Sequence, residues 1–333
     1  MQGLRQVVRA GGRRVRPVHV QAFPEGKAIR HLRIPRVRRG RGARAPGEDV
    51  EAANVRRLTD RDIDAAIALT DLEHWGYTRA DFRRLRALSP DGCFAAELNG
   101  RVVGVLTTTT YDAVAWLGAV IVSPELRGKG IGKAMMDAAL DHLRAKGVRS
   151  VRLNAYLNAI PFYERLGFRR EYEVIRWHGP PGTRGGLGTV RPVRLGDLEA
   201  LARWDQGYFG ANRRALLDRL ADEVPATFLI AERRGAIQGF IVGNPSGDAC
   251  EIGPWVVAPG RETVSRDLFH TVVLAAGVSE VAFSGPSAND ALLEFVRELR
   301  FSEVFRALRM VWGTDEFAGD PAGIWGLGGL EKG

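Results

Sequence analysis

The stretch that most constrains this chain runs from Ala115 to Gly132, A-W-L-G-A-V-I-V-S-P-E-L-R-G-K-G-I-G. Its apolar run, Val120-Ile121-Val122, has the character of a buried strand. Ser123-Pro124 ends that strand, because proline has no N–H to give to a ladder. A glycine-rich loop follows, and then a helical pattern from Lys133 to Lys146, with Ala134, Met135, Ala138, Ala139 and Leu143 apolar and Gly147 placed to stop it. The order is strand, glycine loop, helix N-terminus. Glycines let backbone N–H groups approach a ligand closely, and a helix start carries about half a positive charge. Together they make an anion site with room for a pyrophosphate.

The loop is neither a Walker A, G-x-x-x-x-G-K-[ST], nor a G-x-G-x-x-G fingerprint. Its spacing, Arg127-Gly-x-Gly-x-Gly132, resembles motif A of the GNAT acetyltransferases, whose R-x-x-G-x-G/A loop binds the pyrophosphate of coenzyme A. The resemblance implies acetyl-CoA as cofactor, held by Arg127, Gly128, Lys129, Gly130, Ile131, Gly132 and Lys133, with the main chain of Val120, Ile121 and Val122 facing the pantetheine arm.

A second stretch agrees. Val151–Ala155 reads as a strand and Ala159–Phe168 as a short helix closed by glycine. Its Tyr-x-x-x-Gly-Phe, Tyr163 to Phe168, resembles motif B of the same family, which implies that Tyr163 is the general acid toward the departing thiolate. Many members carry Asn three residues before the motif's Ala, and here Tyr156 stands there. Asn154 and Asn158 lie nearby, and Asn154 is the cofactor-side candidate.

At 333 residues the chain has length for two domains, and a 45% hydrophobic fraction is enough to build cores for both. No apolar run reaches the ~20 residues of a membrane helix. Cys93 and Cys250 lie in separate candidate domains, in strand-like surroundings, which favours reduced buried thiols and a cytoplasmic protein over a disulfide. The six His are scattered without metal-ligand spacing. The net charge of +9 is uneven: residues 1–50 hold twelve Arg and one Lys against three acids, which leaves −1 for the rest. The basicity belongs to the leader, which argues against a nucleic-acid-binding face on the folded body. Residues 1–52 show no sustained period. They read as a disordered basic arm, a targeting presequence, or sequence upstream of the true start, with a disordered or artefactual leader favoured over a functional arm.

From about residue 53 the order is strand, two helices, hairpin, strand, helix, strand, helix, strand. The hairpin turns over Asn99-Gly100, a type I′ signal. This matches a catalytic GNAT domain over 53–178. Residues 179–188 form a Pro/Gly linker, and then the pattern restarts over 189–333. Val190–Leu198 echoes Val55–Asp62, and a second hairpin turns over Arg234-Gly235. Glu251–Val257 sits where 115–122 sat, and Leu292–Phe301 mimics the tyrosine motif. This is an internal duplication. The second copy has lost the chemistry: Pro259-Gly260-Arg261-Glu262-Thr263 replaces the glycine loop, and Phe295 stands about where the tyrosine was.

The whole is similar to tandem-GNAT proteins of the YitH type. Leu153-Asn154-Ala155 to Pro161-Phe162-Tyr163, Tyr208–Arg213 and Ile324–Leu330 carry that likeness over about residues 53–330. The resemblance implies an α/β fold of two GNAT-like domains, each a twisted, mostly antiparallel mixed sheet flanked by helices. It implies an N-acetyltransferase in which a small-molecule primary amine attacks acetyl-CoA directly in a ternary complex. Two rivals stay open: a non-catalytic CoA-binding sensor, and a protein Lys or N-terminal acetyltransferase. A general base is needed; Glu73 and His74 lead because they precede Trp75, with Tyr77 and Asp112 behind them. Trp75, Tyr77 and Asp112 are acceptor-side candidates, and Trp204, Asp205, Tyr208 and Phe209 are candidates for a wall contributed by the second domain. The chain is expected to be a monomer or homodimer, with no membrane partner.

Overall fold

The structure, a computed structural model, describes residues 53–182 and 190–333. The Arg-rich leader and most of the Pro/Gly linker lie outside them.

The first half runs β1 (Asn54–Arg57), α1 (Ile63–Asp71), α2 (Arg79–Leu88), β2 (Phe94–Leu98), β3 (Arg101–Tyr111), β4 (Val114–Val122), α3 (Ile131–Ala145), β5 (Ser150–Tyr156), α4 (Ile160–Arg165) and β6 (Arg169–Gly179). Gly179, read from sequence as the first linker residue, closes β6. The second half repeats the order: β7 (Val190–Pro192), α5 (Leu198–Phe209), α6 (Arg214–Glu223), β8 (Phe228–Arg233), β9 (Ala236–Ser246), β10 (Ala249–Val257), α7 (Glu262–Ala276), β11 (Glu280–Pro286), α8 (Asp290–Glu298) and β12 (Ser302–Gly313). It adds β13 (Ile324–Gly326). Both hairpins turn as their residues dictate: Asn99-Gly100 at φ 52° and 73°, Arg234-Gly235 at φ 52° and 78°. Thr78 caps α2 in a capping box with Asp81.

The duplication reaches single side chains. Arg56 bonds Asp62 and Glu97, and Arg191 bonds Asp197 and Glu232 at the same places in the second half. Yet the halves are not separate sheets. One 13-stranded sheet runs β1-β2-β3-β4-β5-β12-β6-β11-β10-β9-β8-β7, with β13 pairing β10 off this path. The final strands have been exchanged: β12 pairs β5 of the first half, and β6 pairs β11 of the second. The two exchanged strands also pair with each other. Leu308 and Met310 of β12 therefore complete the core under α3, while Ile175 and Trp177 of β6 complete the core under α7. A third core lies between the halves, where Tyr111, Val114 and Trp116 of the first meet Phe209, Ala211 and Leu216 of the second.

Candidate active site

β4 and β5 run parallel only from Val114–Trp116 against Ser150–Arg152, and then part. The parting coincides with a bulge. Val105 faces Ile121 and Thr107 faces Gly118, so Ala119 and Val120 share Leu106, with Ala119 at φ 47°. An extra residue frees backbone groups from the ladder there. Val120 and Val122 are half-buried and Ile121 is buried.

Beyond β4 the loop turns at Gly128 and Gly130, at φ 79° and 87°, conformations that strain any other residue. A Cβ at either would meet nothing within 4 Å, so the loop backbone is open to a ligand. Gly130 is the N-cap of α3 and supplies no side chain to its first amides. Those N–H groups are available to an anion. Arg127 donates from Nε to the Val122 carbonyl at 2.9 Å and from Nη2 to Glu73 Oε1 at 2.7 Å. Lys129 is exposed, and Lys133 pairs with Asp137 at 2.6 Å. A Cβ at Gly132 would lie 3.6 Å from the Phe162 ring and 3.8 Å from Val122, so the start of α3, the end of β4 and α4 converge. Ile131 is buried in the core beneath.

Tyr163, on α4, is buried between Phe162 and Phe168, with ring centroids at 5.1 and 5.8 Å. Burial holds its phenol well above the ordinary range, so it keeps its proton.

Glu73 and His74 follow α1. Glu73 is committed to Arg127. His74 is exposed at φ 56°. Trp75 and Tyr77, half-buried, form an aromatic group with Tyr156 and Phe305. Trp75 lies 6.3 Å from Tyr77 and 6.0 Å from Tyr156, which lies 5.6 Å from Phe305 of β12.

Four candidates stand elsewhere. Asp112 lies exposed at the tip of the β3–β4 hairpin, six residues before Gly118 and so roughly 20 Å along the strand from the bulge. Trp204 packs on Phe240 and lines a groove of about 490 Å³ with Asp197, Ile230 and Ile237, on the second half. Tyr208 packs at Gly323, and its carbonyl accepts from the Asp320 N–H. Asn154 donates one amide N–H to the Leu330 carbonyl at 2.8 Å and so holds the closing segment of the chain. Of the proposed wall, Phe209 does reach the first half, stacking on Trp116, while Asp205 is buried in a pair with Arg213 at 2.7 Å.

One buried group went unread in the sequence. Arg152 and Arg309 lie fully buried on adjacent strands and share the Glu171 carboxylate, at 3.6 and 2.6 Å. Arginine inside the apolar run Val151–Ala155 was the available signal, since a buried guanidinium requires a partner.

Among its described residues the second half has no comparable opening. β10 and β11 also part, after Glu251, but β13 lies in the gap, pairing Trp255 with Gly326 and Val256 with Ile324. Trp325 packs on Trp255 at 5.2 Å. Beside it, the loop before α7 leaves a cavity of about 190 Å³ that Glu262 helps to line. Among the described residues no group of His, Cys, Asp and Glu could hold a metal ion, and no helix is long and apolar enough to cross a membrane. Cys93 and Cys250 are buried free thiols, pushed up to about 11 and about 12 by burial.

Comparison with known proteins agrees with this geometry. Residues 63–168 match the acetyltransferase (GNAT) family and residues 201–326 an acetyltransferase (GNAT) domain. The chain belongs to the GNAT acetyltransferases, as a tandem protein with both halves of that fold, and is an N-acetyltransferase. It is similar to the holothin acyltransferase of a Pseudoalteromonas species, 24% identical over 78% of this chain and 88% of that one. It is also similar to the uncharacterized N-acetyltransferase YitH of Bacillus subtilis, 23% identical over 64% of this chain and 77% of the other. The crystal structure of a putative acetyltransferase from Pyrococcus horikoshii shares the fold, with a TM-score of 0.71 and 23% identity over 87% of this chain and 99% of its own.

Proposed function

We propose that the first half transfers an acetyl group from acetyl-CoA to the primary amine of a small molecule, and that the second half binds no CoA. The observation that carries this reading is the parting of β4 from β5 directly above an open glycine loop at the start of α3. The glycine loop suits the pyrophosphate, with Arg127 fixed in place by Glu73. The parted strand β4 offers main-chain groups of Val120, Ile121 and Val122 to the pantetheine arm. Bound acetyl-CoA supplies the activated acetyl group. The bulge at Ala119–Val120 sets free backbone groups where the thioester carbonyl would lie, a preorganised stabiliser of the charge that develops on oxygen. Tyr163 holds a proton for the departing sulfur, as its raised phenol allows. Trp75, Tyr77, Tyr156 and Phe305 form the acceptor side, and aromatic walls favour an amine with an apolar body.

The test is thiol release from acetyl-CoA with a panel of small primary amines. Tyr163→Phe should lower kcat by about 10²-fold or more with acetyl-CoA affinity unchanged. Tight acetyl-CoA binding with no turnover on any amine would contradict the enzyme reading and favour a sensor.

A further inference from the structure

The closing segment Leu330–Gly333 belongs to the second half by sequence but lies on the first half's sheet. Four side chains hold its carbonyls. Asn154 bonds that of Leu330, Thr109 that of Glu331 at 3.4 Å, Tyr111 that of Lys332 at 3.0 Å, and Arg213 that of Gly333 at 3.1 Å. Contact with β4 is direct. A Cβ placed on Gly118 would fall 2.1 Å from the Glu331 Cβ, so this strand carries glycine where the segment crosses it. Gly118 is the residue before Ala119, where β4 bulges and parts from β5. Glu331 is thus carried to the point at which an acyl group bound along β4 would end.

That carboxylate is enclosed among charged and phenolic groups. Its side chain is only 12% exposed. Its charge acts on the phenols of Tyr77, after α1, and Tyr111, on β3, and on the guanidinium of Arg176, on β6. Arg176 itself is held by Glu251 of β10 through two bonds of 2.7 Å. The cation on Glu331 is the Lys332 ammonium, also 12% exposed. A primary alkylammonium thus already sits on this carboxylate, with Tyr77 of the aromatic group alongside.

We propose that Glu331 is the carboxylate that pairs with the acceptor's ammonium and takes its proton, Lys332 holding that place until the acceptor arrives. The inference rests on the acetyl-transfer reading above. Glu331 gains one proton as an N–H bond of the ammonium breaks, and the freed lone pair forms the C–N bond to the acetyl carbon while the C–S bond breaks. Tyr163 gives its proton to the departing sulfur and is restored through water by the second proton of the nitrogen. Glu331 returns its proton to solvent.

The experiment uses the full chain with 2-phenylethylamine as probe, comparing wild type, Glu331→Gln and Lys332→Met. Acetyl-CoA affinity, measured first by calorimetry, should be the same in all three. Glu331→Gln should lower kcat/KM for the amine about a hundredfold, in kcat as well as KM, as loss of a general base does. Lys332→Met, which frees the carboxylate, should instead lower KM for the amine several-fold. A segment with only a structural role would move both variants the same way. Unchanged kcat/KM in Glu331→Gln would overturn the assignment of Glu331 alone. A wild type that does not bind acetyl-CoA would overturn the acetyl-transfer reading itself, and Glu331's role with it.

Discussion

Arg56 and Arg191 each hold two acids at corresponding places in the two halves, and both sets bear on acid stability. Hydrogen bonds from Arg56 hold Asp62 well below the usual carboxylate range, and those from Arg191 lower Asp197. A carboxylate whose folded pKa is depressed adds stability that is fully present above its unfolded pKa of about 3.9 and is lost as pH falls through the folded value. The urea midpoint should therefore fall as the pH drops from about 5 toward 2. The double variant Asp62→Asn, Asp197→Asn should start lower at pH 7 and lose less over that window; an equal loss in both proteins would contradict the assignment. Residues of this kind differ in how far the sequence exposes them. Gly128 and Gly130 were legible because a positive φ at a helix start leaves a local signature. Glu331 was not, because its surroundings are made by Tyr77, Tyr111 and Gly118, more than two hundred positions away. A separation of 176 positions hid the commitment of Asn154 to Leu330, and one of 54 positions hid that of Glu73 to Arg127.

Among the elements, α3 and β13 decide which half can work. α3 begins with amides that no side chain caps behind an open loop, whereas α7 begins with Glu262 beside a small cavity. The change from glycine to glutamate was plain in the sequence. The filling of the second opening was not: Ile324–Gly326 is only three residues long, and its strand character comes from pairing with β10, not from its own pattern. A strand inside the gap removes the main-chain groups that a pantetheine arm would need. One acetyl-CoA per chain should therefore bind at saturation, and a stoichiometry of two would contradict the role given to β13.

At the scale of the molecule, the exchange of β6 and β12 makes the two halves one folding unit. The repeat was readable, because each half keeps its own order of turns, caps and apolar runs. The exchange was not, since β6 and β12 present similar faces and nothing local says which β5-like edge each will join. Each half draws core residues from the other, Leu308 and Met310 in one direction and Ile175 and Trp177 in the other. Thermal unfolding should show a single transition for the full chain. Residues 53–182 expressed alone should show no cooperative melt, and should regain one when co-expressed with 190–333. A cooperative melt of 53–182 by itself would contradict the exchange.

The central claim is that the loop from Arg127 to Gly132 holds the cofactor, and it is tested most directly by calorimetric titration of acetyl-CoA into the full chain and into Gly130→Glu. The substitution places a side chain at φ 87° and a negative charge at the start of α3, where the helix dipole and free amides favour an anion. Binding in the parent that is lost in a variant with an unchanged melting temperature is the expected result. Equal affinity in both proteins would place the cofactor elsewhere and contradict the account.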